Sequence, residues 1–172
     1  MLLCIVIMFC MMDLNQIELQ GYKVKYTADR MANAATLLTD EYSYSLGRIV
    51  FTCDEGNALA LEVLKGNLGY DSSYRPVSNT YFTETADIDL YYFDDSLSAK
   101  HYKNGTLVGT FRFSYGNYVT DYVPSYKEMI VITKPSVVCI FNAGRPYFTP
   151  VNSAVMAGNR VDIVKQSFYE YK

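Results

Sequence analysis

The chain has 172 residues, half of them hydrophobic and 19% charged, which excludes a disordered protein and suits one domain able to bury a core of its own. A net charge of −3 and a pI near 5.1 leave no general basic field, so bulk nucleic-acid binding is not expected. Seventeen tyrosines and nine phenylalanines without tryptophan favour pleated sheet, where aromatic side chains pack well.

The first twelve residues, MLLCIVIMFCMM, are apolar throughout. Such a run is too short to span a bilayer and lacks the basic leader of a secretory signal, so no membrane contact is expected. Amphipathic sequence follows at once. Residues 1–12 thus admit three readings, a buried first element, a weak membrane-inserting segment, or a start called too early with translation beginning at Met11 or Met12; the third is favoured, which leaves residues 13–172 as a single α+β domain. Residues 16–26 alternate loosely. The stretch TADRMANAATLLTDEY then predicts a helix over 29–42, with Thr27 or Asp29 as N-cap.

GRIVFTCDEGNALALEVLKGNLG predicts a strand at 48–53, an acidic and glycine-containing turn at 54–56, and a helix at 57–65 stopped by Gly66. Residues 66–83 read as a long loop and ADIDLYYF as a strand. Asn104-Gly105 and Gly116-Asn117 predict two tight turns joining strands at 99–103, 106–115 and 118–123. In that meander Tyr102 falls opposite Leu107. Leu107, Phe111, Phe113 and Tyr115 share a face, and Arg112 lies opposite Asp121. The apolar runs EMIVIT and SVVCIF and a final strand in NRVDIVKQSF complete a mixed, mainly antiparallel sheet with about two helices in the N-terminal half.

Cys4, Cys10, Cys53 and Cys139 have neither zinc-type nor disulfide-framework spacing and read as reduced, buried thiols. His101 is the single histidine. A cysteine nucleophile served by it would need an accessible thiolate, and the apolar runs around Cys53 and Cys139 argue for small buried hydrophobes instead. The many tyrosines could equally supply a recognition surface.

ETADIDLYYFDD carries the sharpest question. On a strand, Asp87 and Asp89 point the same way with Cα atoms roughly 6.6 Å apart, while Ile88, Leu90 and Tyr92 face a core. The aspartates could be the solvated side of that strand. Two carboxylates so placed could also share a hard cation such as Mg²⁺. The order strand, glycine turn, helix, then D-I-D-L resembles the polymerase-β-type nucleotidyltransferase superfamily. The match is partial, covers about residues 48–165, and is close only at D-I-D-L.

The resemblance implies a phosphate-contacting turn at Gly56-Asn57 and a metal set of Asp87, Asp89 and Asp162 in RVDIV, holding Mg²⁺ or Mn²⁺. Lys100 would stand among the basic residues that meet a nucleoside triphosphate. The implied activity is metal-dependent nucleotidyl transfer by an active or degenerate enzyme. The alternative is a non-enzymatic β-rich interaction or structural protein with a protein partner, of viral origin, since divergent superfamily members occur in large viruses and phages. Either would work in the cytoplasm or inside a host cell.

Overall fold

The computed structural model describes residues 2–77, 80–123, 129, 131–144 and 160–168, with backbone alone for residues 2 and 160–168. Its first element is one unbroken helix, α1, Leu2–Thr36. No proline interrupts it, and Ala, Leu and Met supply helix formers throughout. The apolar start is thus the first third of α1, and residues 16–26 are helical as well. The sequence-expected helix at 29–42 is only its last turns. Asp29 lies inside it and not at a cap.

The short helix α2 (Glu41–Ser45) is capped by Asp40, whose carboxylate accepts from Ser43 N at 2.8 Å. Helix α3 runs over Cys53–Leu68. It therefore absorbs the expected turn at 54–56, passes Gly66, and ends where Gly69 adopts φ +70 and returns its N–H to the Lys65 carbonyl. The expected strand at 48–53 reduces to a single bridge, Phe51 with Thr39.

Five strands follow: β1 (Asp87–Phe93), β2 (Ser98–Lys103), β3 (Thr106–Arg112), β4 (Ser136–Gly144) and β5 (Arg160–Phe168). They form one sheet in the order β3-β2-β1-β4-β5, and every pairing is antiparallel. The fold is α+β, as the sequence implies. Tyr102 pairs with Leu107 as expected. A register shift between His101 and Tyr102 then reverses the alternation along β3. Leu107 consequently faces the same side as Tyr102, whereas Phe111 pairs with Ala99 and packs on the other side.

The third meander strand is not formed. Val119–Asp121 is a 3-10 turn in which Asp121 accepts from Tyr118 N at 3.1 Å. Arg112 pairs in register with Ser98 and not with Asp121, because the chain leaves the sheet at that point. Of EMIVIT, Val131 bridges Tyr118, while residues 128 and 130 lie outside the described set.

The sheet carries a core on each face. On one side α1 and α3 cover Ile88, Leu90, Tyr92, Tyr102, Cys139 and Phe141. On the other, Phe93, Ala99, Val138 and Ile140 are roofed by Phe113, Val119, Val123 and Ile132. The acidic pair after β1 ties these layers to the segment before α3. Asp94, 1% exposed, accepts from Phe51 N at 3.2 Å, and Asp95 accepts from Ile49 N at 2.7 Å and from the Tyr115 hydroxyl at 2.8 Å. These two carboxylates act as structural acceptors.

Candidate functional site

The sheet separates the residues that the resemblance groups together. Alternation along β1 sends Asp87, Asp89 and Tyr91 to the face away from the helices and Ile88, Leu90 and Tyr92 toward them. The two aspartates do share one face. Asp89 Oδ1 lies 2.6 Å from His101 Nε2, and the His101 ring stacks on Tyr91 with centroids 4.1 Å apart. Asp87 Oδ1 lies 3.8 Å from Lys103 Nζ. Each aspartate thus faces a basic partner on the adjacent strand.

Asp162 is related to these positions by register alone. Asp87 pairs with Asn142 and Asn142 with Asp162, so the three positions form one row across β1, β4 and β5. Two strand spacings set the outer Cα atoms roughly 9.6 Å apart. Among the described residues no group of three His, Cys, Asp or Glu side chains comes together closely enough to hold a metal ion. Asp87 and Asp89 offer oxygen donors, and the side chain of Asp162 lies outside the described set.

Gly56 and Asn57 lie on the opposite side of the sheet. They belong to the first turns of α3 and are buried. A Cβ at Gly56 would stand 3.0 Å from the Tyr92 hydroxyl and 3.1 Å from the Ala35 carbonyl oxygen, so this glycine permits the close approach of α3 to β1 and α1. Asn57 Oδ1 lies 3.3 Å from the Tyr92 hydroxyl, which is also 3.4 Å from the Cys53 carbonyl oxygen. The expected phosphate-contacting turn is therefore a packed helix start. Asp54 and Glu55 already occupy its first turn, where the helix dipole favours negative charge.

Lys100 also sits on the helix side, paired in register with Tyr92 and close to Cys53. Burial pushes the Cys53 thiol up to about 11, against the opposing pull of Lys100, and burial pushes Cys139 up to about 12. Both stay protonated thiols at neutral pH, which suits the core role read from their apolar runs. Tyr102 is raised to about 12, by burial first and then by its 3.1 Å hydrogen bond to Asp54 Oδ1. Cys4, by contrast, is exposed.

Two arrangements escaped sequence reasoning. The contact of His101 with Asp89 and Tyr91 depends on the β1–β2 register, which no local spacing reveals. The other is α1 itself. From Leu3 to Met12 it exposes large apolar side chains all round: Ile5, Val6, Ile7, Met8 and Phe9 are 42% to 54% exposed. From Asp13 onward one face is buried, through Ile17, Val24, Ala28, Met31 and Ala35. A helix-period count of the sequence would have found that face. No known family model, curated protein or solved structure matches the chain.

Proposed function

We propose that this is a non-enzymatic interaction or structural protein, held at a lipid surface by the first turns of α1. The exposed apolar helix start carries the reading. A helix that is apolar all round belongs in hydrocarbon or inside a large core, and contiguous exposed apolar surface of this kind marks a contact site. α1 is long and apolar enough to cross a membrane, and only 11% of its most apolar 18 residues are buried, unlike the core helix of a soluble domain. Residues 2–12 rise roughly 16 Å, about half a hydrocarbon core, before the first charged residue, Asp13. The helix then continues into the core, so anchor and domain move as one rod.

Flotation with phosphatidylcholine–phosphatidylglycerol vesicles tests this. The wild-type chain is expected to float, and an Ile7→Asp/Phe9→Asp variant to remain in the dense fraction with its thermal melt unchanged. A wild-type chain that stays with the dense fraction overturns the anchor.

The row formed by Asp87, Asn142 and Asp162 favours a second reading, metal-dependent nucleotidyl transfer with Mg²⁺ or Mn²⁺ at Asp87, Asp89 and Asp162. Its difficulty is that Gly56, Asn57 and Lys100 lie across the sheet from these carboxylates. A melting temperature raised by either ion, and no longer raised in Asp87→Asn, would support it. A melt indifferent to both ions, with and without a nucleoside triphosphate, would remove it.

A further inference from the structure

The outward face of α1 carries a second pattern, opposite the one that packs on the sheet. Met12, Leu19, Tyr22 and Tyr26 are 56% to 64% exposed, and Asn15 between them is exposed too. Their spacings are three and four residues in strict alternation. The same alternation runs back through Met8 and Ile5 into the apolar start. In heptad terms Ile5, Met12, Leu19 and Tyr26 take the a positions and Met8, Asn15 and Tyr22 the d positions, over three heptads and roughly 32 Å of helix. The f positions of the same register include Ile17, Val24 and Met31, which are buried against the sheet. One helix therefore carries a core face and, on its far side, an unpaired coiled-coil seam.

We infer that this seam is the dimerisation surface for a second copy of the chain, the two α1 helices running parallel and in register. The direction rests on the lipid-anchor reading, since two copies inserted from one side of a bilayer present their helices in parallel. Charge and polarity around the seam fit this pairing. Glu18 at g falls beside Lys23 at e of the second copy, and both side chains are exposed. Asn15 at d would meet its own counterpart across the seam, where each amide can hydrogen-bond the other. Lys25 at g would meet Arg30 at e, a like-charged pair. Arg30 is drawn instead over its own Tyr26 ring, 5.5 Å from the centroid. The seam ends there.

Cysteine cross-linking in the full chain, in a Cys4→Ser/Cys10→Ser background that leaves only the buried thiols, tests the inference. Leu19→Cys and Tyr22→Cys should each give a disulfide-linked dimer on mild oxidation in vesicles. Glu62→Cys, at an exposed position of α3, should give none. Leu19→Glu/Tyr22→Glu in the wild-type background should lose dimer to chemical cross-linkers while still floating with vesicles and unfolding cooperatively. Flotation without seam-specific cross-links overturns the dimer and leaves the anchor standing. Cross-links without flotation overturn the anchor and leave the dimer. Loss of both overturns both.

Discussion

The two parts of α1 are made of similar residues and sit in opposite environments. Leu3 to Met12 shows Leu, Ile, Val, Met and Phe to the outside on every side. Past Asp13 the helix buries a narrow face of Ile17, Val24, Ala28, Met31 and Ala35, and the sheet and α3 take it in. Composition alone does not distinguish a core helix from an anchor. What separates them is whether apolar side chains follow one stripe or encircle the axis. The first part is exposed on all sides, whereas the second has one face covered by the sheet and α3.

The largest test of that contrast substitutes the same residue type in each part. Met31→Ala should cost about 2–5 kcal/mol in denaturant melts because it opens a cavity beneath α1, whereas Met8→Ala should change the melt by less than about 0.5 kcal/mol. Equal costs would mean that the N-terminal turns belong to the core. Gly56→Val comes next. With the Tyr92 hydroxyl and the Ala35 carbonyl oxygen at 3.0 and 3.1 Å from an added Cβ, the joint between α1, α3 and β1 has to shift, at about 1–3 kcal/mol. A neutral Gly56→Val would show that α3 is less closely seated than described.

The cysteines sharpen the contrast through pH. Unfolded thiols lose protons near pH 9.0, whereas burial makes folded Cys53 and Cys139 hold theirs to about 11 and 12. Between pH 9 and 11 the unfolded chain binds fewer protons, so stability should fall as pH rises through that window. In Cys53→Ala/Cys139→Ala the slope should flatten, as measured by urea midpoints at pH 8, 9 and 10. An unchanged slope would assign it to other groups. The smallest effect is expected at the half-exposed start of β1, on the side of the sheet away from the helices. The Asp87–Lys103 pair is about half exposed on both sides, so Asp87→Asn should move metal-free stability by less than about 1 kcal/mol. A larger loss would point to further partners of Asp87 as structural.

Local signals made part of this architecture readable. The Asn104-Gly105 turn and its flanking strands stand where the hairpin rule puts them, with Asn104 and Gly105 both at positive φ. Alternation in D-I-D-L correctly separated Asp87 and Asp89 from Ile88 and Leu90. What failed depended on distant contacts. Gly56 looks like a phosphate turn in sequence, and only the approach of Tyr92 and Ala35 shows it to be a packing glycine. The alternation of β3 reverses at a bulge that no residue type announces. The register row joining Asp87 to Asp162 spans 75 residues of sequence separation, beyond any local pattern. The α1 seam differs from these. Its residues repeat in heptads in the sequence itself, a pattern that the loose alternation of residues 16–26 obscures.

The exposed cysteine in the first turns of α1 gives the most direct measurement. In a Cys10→Ser chain, Cys4 is the only exposed thiol among the described residues, while Cys53 and Cys139 are buried. Its labelling by a charged, membrane-impermeant maleimide should be rapid in buffer and nearly abolished with vesicles. A reference cysteine at Glu62 should label equally with and without lipid. Cys4 labelling as fast with vesicles as in buffer, with the Glu62 reference unchanged, would contradict the lipid anchor.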